Sequence, residues 1–108
     1  MNNNLMVNLR ELLVVMMHNR TLREKATDAL HYCRESVIEH EISISVYGEY
    51  CDLIEQLIFL VDKEQRIAPD DLLRSGGDLL FSILLLYEKL AAEAGVNEYI
   101  QQKNIYYD

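Results

Sequence analysis

The sequence predicts an all-α fold in a single domain spanning residues 1–108, and three observations carry this prediction. Apolar residues recur at intervals of three and four in successive segments, which is the period of an amphipathic helix. The chain holds one proline and four glycines, so few positions interrupt a helix. Half of its residues are hydrophobic, which suffices for one packed core.

The first two helices are predicted from two apolar stripes and one helix cap. The first helix should end near residues 18–19, and its stripe consists of Leu5, Leu9, Leu12, Leu13 and Met16. Thr21 and Glu24 then have the spacing of a capping box, in which each side chain satisfies a backbone N–H at a helix start. The second helix should reach about Ile38, and its stripe consists of Leu22, Ala26, Ala29, Leu30, Cys33 and Val37.

Residues 42–46 allow two interpretations. Their apolar and polar residues alternate with period two, which suits a short strand, but a lone strand would have no partner to pair with. We therefore expect a loop here, with Ser45 as the N-cap of a third helix over roughly 46–65. The apolar stripe of that helix consists of Tyr47, Tyr50, Cys51, Ile54, Leu57, Ile58 and Val61.

The last third of the chain begins with a helix start at Pro69, because proline suits the first turn and the acids that follow suit the positive end of the helix dipole. Gly76-Gly77 leaves two alternatives, a short helix over 69–75 with a restart or one long helix kinked at the glycines. Residues 79–94 are apolar on nearly all faces, which predicts a central helix surrounded by the others.

The C-terminal end should contain one more short helix. Gly95 is suited to a C-cap, and Asn97 can cap a helix that runs to about Lys103, with residues 105–108 as a tail. Short connections between antiparallel neighbours then predict a bundle of four to five antiparallel helices around the central apolar helix near 79–94.

Cysteine use and hydropathy predict a cytoplasmic protein. Cys33 and Cys51 are too few for a disulfide framework and too far apart for a Cys-x-x-Cys pair, so we expect two reduced, buried thiols. The apolar run 12–17 lacks the flanks of a signal peptide, and the longest apolar stretch, 79–87, falls short of the roughly 20 residues of a membrane-spanning helix. We expect no membrane partner.

The charge of the chain is concentrated in its middle third. The whole chain has 18 acids and 10 Lys and Arg residues, a net charge of −8. Residues 39–71 hold nine acids against Lys63 and Arg66, so that 2 − 9 = −7 of this net charge lies there. Such local imbalance costs stability through self-repulsion, and it favours a function that uses negative potential.

On the third helix, Glu49, Asp52 and Glu55 are spaced by three and form an acidic ridge, with Tyr47 and Tyr50 beside it. Tyrosine provides buried area in a protein interface, and carboxylates steer a basic partner. The alternative is that the acids are only the solvated face of the helix and the tyrosines point inward. Both interpretations stay open at the level of the sequence.

Catalysis, metal binding and nucleic-acid binding are disfavoured. The three histidines are scattered without a Glu-x-x-His or His-x-x-x-His pair, and neither a phosphate-binding motif nor an activated serine is present. We therefore expect no catalytic residues, metal or cofactor. The basic residues of the first two helices are interspersed with acids, so nucleic acid would be repelled.

The chain is predicted to be a compact acidic helical domain with its carboxylates centred on segment 47–55, and as such it resembles the small immunity proteins that bacteria make against nuclease toxins of the colicin and contact-dependent growth inhibition kind. The resemblance covers size, helix content and charge, without a shared motif. It implies a non-enzymatic inhibitor that binds a basic nuclease toxin domain, with acids of the segment 39–71 covering its phosphate-binding site and with Tyr47 and Tyr50 as anchors.

Three hypotheses follow. An immunity protein would be a monomer or a weak homodimer that binds a basic protein in a salt-sensitive complex. A structural or regulatory subunit would self-associate through Ile105-Tyr106-Tyr107 or Met16-Met17. An enzyme ranks last. The predicted partner-binding residues are Glu41, Tyr47, Glu49, Tyr50, Asp52, Glu55, Asp62, Asp70 and Asp71.

Overall fold

Four α-helices make up the chain in its computed structural model, which describes the backbone of residues 3–62 and 66–107. Side chains are described for residues 4–62, 66–96, 98 and 100. The helices are α1 (Asn3–Met16), α2 (Leu22–Ser36), α3 (Ile44–Val61) and α4 (Pro69–Tyr107), with a 3₁₀ turn at Glu39–Glu41 between α2 and α3. The described ranges contain no strand, so the prediction of an all-α fold is confirmed.

The helices pack in the cyclic order α1, α2, α3, α4, and α4 closes the cycle against α1. Each helix buries one apolar face in a common core. The longest dimension of the molecule is 60 Å, against 25 and 23 Å for the other two, because α4 has 39 residues and an α-helix rises about 1.5 Å per residue. The core consists of Leu5, Leu9, Leu12, Ala26, Ala29, Leu30, Cys33, Ile42, Val46, Tyr50, Leu53, Leu57, Leu60, Leu79, Ile83, Leu86 and Leu90.

The predicted capping box at the start of α2 is confirmed. The Thr21 hydroxyl accepts a hydrogen bond from the Glu24 backbone N–H at 3.2 Å, and the Glu24 carboxylate accepts one from the Thr21 N–H at 3.1 Å. These hydrogen bonds hold the pKa of Glu24 below its usual range. The helix ends at Ser36, two residues before the predicted end.

The predicted boundaries of α3 are wrong at both ends. The helix begins at Ile44 with Ser43 at the N-cap position, and it ends at Val61. Ser45 is not the cap, because its hydroxyl instead donates a 2.5 Å hydrogen bond to the Glu93 carboxylate of α4. The alternating residues 42–46 form no strand, and α3 includes three of them.

Gly76 and Gly77 do not interrupt α4, which decides between the two alternatives in favour of one long helix. No described glycine has a positive φ, so the helical backbone continues through both positions. Gly95 is not a C-cap for the same reason, and the predicted separate helix from Asn97 is part of α4. A glycine costs about 1 kcal/mol in a helix interior, and the leucines that α4 buries on one face offset that cost.

The prediction of a central helix is not confirmed. α4 buries one stripe in the core, spaced by four and three residues, and packs with it against α1 and α3. The other apolar side chains of this region point away from the core and are exposed. They are Leu80, Phe81, Leu84 and Leu85. In the described ranges, no helix is both long enough and apolar enough to cross a bilayer.

Thr21→Ala should lower the free energy of unfolding by about 1 kcal/mol, because it leaves the Glu24 backbone N–H without its side-chain acceptor. The matched control is Thr27→Ala in the same helix, since the exposed Thr27 hydroxyl only bonds the Arg23 carbonyl one turn earlier. The control should change stability by less than about 0.5 kcal/mol. Urea unfolding followed by circular dichroism measures both, and equal losses would contradict the cap.

Gly77→Ala should raise the free energy of unfolding by about 1 kcal/mol. An alanine Cβ at this position meets open space, and alanine is the better residue in a helix interior. Urea unfolding of a dilute sample measures the change. Destabilisation would show that the backbone at Gly77 is not helical in solution, because alanine is strained only where the glycine has a positive φ.

Candidate functional site

An open groove runs between α3 and α4 and contains three of the predicted site residues, Glu49, Asp52 and Glu55. It consists of two adjoining stretches of about 540 and 570 Å³. Both stretches are lined by Asp52 and Gln56 of α3 and by Ser82 of α4. The Gln56 side-chain amide donates a 2.9 Å hydrogen bond to the Ser82 hydroxyl, which ties the two helices together at the middle of the groove.

Carboxylates from both helices converge on this groove. Glu49, Asp52 and Glu55 are exposed along α3, as the ridge spacing predicts. Asp78 and Glu88 of α4 add two more exposed carboxylates on the opposite side. Apolar side chains lie between them, among them Phe59, Leu85 and Leu86. The groove is therefore apolar where the two helices meet and acidic along both edges.

Lys89 is the one base among the described residues that line the groove. Its ammonium group donates to the Glu49 carboxylate at 2.6 Å and to the Ser45 backbone carbonyl at 3.1 Å. The hydrogen bond from Lys89 holds the pKa of Glu49 below its usual range. Both side chains are about half exposed, so the pair contributes little stability, but it neutralises the Glu49 end of the ridge.

The rest of the ridge is not neutralised by a described basic residue. Neither Asp52 nor Glu55 forms an ion pair with any residue that the structure describes. Two arginines from the first part of the chain contact other groups: Arg20 of the α1–α2 connection pairs with Glu24 and Asp28, and Arg10 of α1 donates to the Tyr87 hydroxyl. Among the described residues, no ion pair therefore offsets the carboxylates of Asp52 and Glu55.

Tyr50 lies in the core and not on the ridge. Its side chain is 2% exposed, and its hydroxyl hydrogen-bonds the buried Cys33 thiol. Burial raises the pKa of Tyr50 and raises that of Cys33 to about 11. In this fold Tyr50 cannot touch a partner, so the predicted anchor role for this residue is wrong.

Tyr47 is exposed, but on the far flank of α3. An α-helix turns about 100° per residue, so Tyr47 points roughly 200° away from Glu49 and 140° away from Asp52. Its hydroxyl hydrogen-bonds Cys51, one turn further along, and this contact raises the pKa of Tyr47. Tyr47 is accessible to a partner but does not line the groove.

The remaining predicted residues are dispersed. Glu41 lines a separate small cavity between the start of α1 and the end of α2. Asp62 is the C-cap of α3, and its backbone carbonyl accepts from the Arg23 guanidinium. Asp70 and Asp71 are exposed in the first turn of α4, where their negative charges interact favourably with the positive end of the helix dipole. None of these four lines the groove.

Sequence reasoning missed the contribution of α4 to this site. Asp78, Ser82, Leu85 and Lys89 are spaced by four, three and four residues, so they share one flank of a helix. That spacing was a usable signal. The spacing is hard to recognise because segment 79–94 is apolar on nearly all faces, and because Asp78 and Glu88 lie outside the acidic middle third.

No group of three or more histidine, cysteine, aspartate or glutamate side chains in the described residues is arranged to hold a metal ion. Cys33 and Cys51 form no disulfide.

No family model, curated protein or solved structure matches the chain significantly.

The geometry of the groove is suited to long basic side chains. A lysine or arginine can lay its alkyl stem on Phe59 or Leu85 while its charged head reaches a carboxylate at the edge. Asp52 is placed to bind such a charged head, because it lines both stretches of the groove and forms no ion pair with a described residue. A peptide or protein surface that carries such residues is the ligand that this arrangement fits.

Glu49→Gln should slightly destabilise the protein at about pH 7, and this loss should diminish as the pH falls below 4.5. The folded pKa of Glu49 lies below its ordinary value of 4.5, so the stability that its carboxylate contributes is present above that value and is lost as the pH falls through the folded pKa. Urea unfolding at several pH values measures the difference from wild type.

The control for this experiment is Glu55→Gln, two acids further along the ridge. Glu55 forms no ion pair with a described residue, so its replacement should not lower stability at neutral pH. If both variants lose the same stability at neutral pH, the pairing of Glu49 with Lys89 is absent in solution.

Proposed function

We propose that this chain is a non-catalytic protein-binding domain, and that it binds a basic protein partner in the acidic groove between α3 and α4. One observation carries the proposal. Asp52 and Glu55 of α3 and Asp78 of α4 line the same stretch of the groove as the exposed ring of Phe59, and none of the three carboxylates forms an ion pair with a described residue.

This arrangement of carboxylates destabilises the folded chain unless a cationic group binds there. Carboxylates that face the same groove repel one another and lower the stability of the folded chain. A solvated helix face ordinarily mixes charges of both signs, whereas this groove has five acids and Lys89 alone among its described lining residues. A basic partner would relieve the repulsion on binding, and long-range attraction would raise its rate of association.

The specific form of the proposal is an immunity function against a nuclease toxin. A nuclease binds phosphate and therefore presents Arg and Lys around its active site, which is the surface that this groove complements. In this form the chain acts in the cytoplasm, and its two unpaired cysteines agree with a reducing compartment. It needs no cofactor, because inhibition requires only that the toxin surface be covered.

Asp52→Lys combined with Glu55→Lys should abolish capture of the partner. The matched control is Glu11→Lys combined with Glu98→Lys, which changes the net charge equally at exposed acids outside the groove. Wild type, the groove variant and the control are used as baits in parallel. A protein retained by wild type and by the control, but weakened about tenfold or more by the groove variant, is the predicted partner.

The partner so identified is then purified and titrated against wild type over a salt series. The affinity should fall as NaCl rises, because screening weakens attraction between exposed charges. A nuclease activity that wild type suppresses and the groove variant does not suppress would support the immunity form. Equal binding by the groove variant and the control would contradict the groove as the binding site.

A further inference from the structure

α4 exposes an apolar face on the side of the helix opposite the core. Phe81 is 61% exposed, and Leu84 and Leu85 are 45% and 48% exposed. At about 100° per residue, Phe81 points roughly 160° away from the buried Leu79, so its ring faces away from both α1 and α3, while Leu85 lies at the edge of the groove. We call the three side chains the outer face of α4. Three neighbouring large apolar side chains on one exposed helix face indicate an interaction surface.

The outer face is bounded by two opposite charges placed symmetrically about Phe81. Arg74 precedes Phe81 by seven residues and Glu88 follows it by seven, so each lies about 10.5 Å away along the helix and on the same side. Both side chains are exposed, and neither forms an ion pair with a residue that the structure describes. The charge pattern is therefore self-complementary under a two-fold rotation about Phe81.

We propose that the outer face binds a second copy of this chain, with the two α4 helices antiparallel and the two-fold axis close to Phe81. A two-fold interface uses the same patch on both copies, so the patch must complement itself. In this arrangement Arg74 of each copy faces Glu88 of the other, which gives two ion pairs around an apolar centre. The inference does not depend on the proposed function, because the α3 carboxylates Asp52 and Glu55 are not part of this face, although Glu88 and Leu85 belong to both surfaces.

The antiparallel orientation follows from the charges. In a parallel pair in register, Arg74 would face Arg74 and Glu88 would face Glu88, and like charges across an interface disfavour that arrangement. An unrelated partner protein would need no symmetry about Phe81. The equal seven-residue spacing on either side therefore favours a second copy over a different protein.

The association should be weak. Each copy carries a net charge of −8, so two copies repel each other at long range, and salt screens this repulsion. The full chain is therefore examined by sedimentation equilibrium at about 0.3 M NaCl, over a concentration series from about 5 µM to 1 mM. Wild type should pass from monomer to dimer within this range.

Phe81→Ser removes the aromatic side chain at the symmetry axis from both copies at once, and should raise the dimer dissociation constant about tenfold or more. Its matched control is Ile44→Ser, since Ile44 is 95% exposed at the start of α3 and lies outside the outer face. The control should leave the dissociation constant unchanged. Circular dichroism checks that both variants remain folded.

A charge exchange tests the orientation. Arg74→Glu alone and Glu88→Arg alone each place like charges opposite one another, and should weaken the dimer about fivefold or more. The double variant Arg74→Glu with Glu88→Arg restores opposite charges in an antiparallel pair, so it should return the dissociation constant to within about twofold of wild type. In a parallel pair the double variant would still oppose like charges.

Three results would overturn the proposal. The first is a wild-type chain that remains monomeric up to about 1 mM, which would leave the outer face to a different protein. The second is a dimer that Phe81→Ser and Ile44→Ser weaken equally. The third is a double charge variant that associates no better than the single variants.

Discussion

The continuity of α4 is the constraint on which the rest of the structure depends. Because Pro69–Tyr107 is one helix, its side chains keep a constant 3.6-residue period past both glycine positions. One stripe of side chains is then buried along the helix, and other positions line the groove or form the outer face. A break at Gly76-Gly77 would have changed the directions of Arg74 and Ser75 relative to the residues after the glycines, so that neither the groove nor the outer face would extend across the break.

The groove is a product of two helices. α3 supplies an acidic ridge, and α4 supplies Asp78, Glu88 and most of the apolar surface between the acids. The Gln56–Ser82 hydrogen bond and the Lys89–Glu49 pair hold the helices at the distance that leaves this space open. The same contacts divide the ridge into a neutralised end and a charged end. Glu49 thus helps to join the two helices, whereas Asp52 and Glu55 remain available to a partner.

The two surfaces proposed for binding have different physical characters. The groove is acidic along its edges, so it selects for cations, and salt weakens what it binds. The outer face of α4 is apolar with one charge of each sign, so it selects for an apolar surface with a complementary pattern. Leu85 and Glu88 lie where the two surfaces meet. Self-association and partner binding would therefore act on neighbouring, and not identical, parts of α4.

The sequence by itself determined the helical class and the capping box at Thr21, because these depend on contacts within a few residues along the chain. The predicted apolar stripe of α3 is not its buried face, which consists of Val46, Tyr50, Leu53, Leu57 and Leu60. Tertiary structure decided the direction of each face. Tyr50 went into the core and Tyr47 to the far flank, although both belong to one apolar stripe. Nearly every position of α4 after the glycines is apolar, so the sequence pattern does not indicate which face of the helix is buried. Only packing against α1 and α3 could decide that Leu79 is buried and Phe81 exposed.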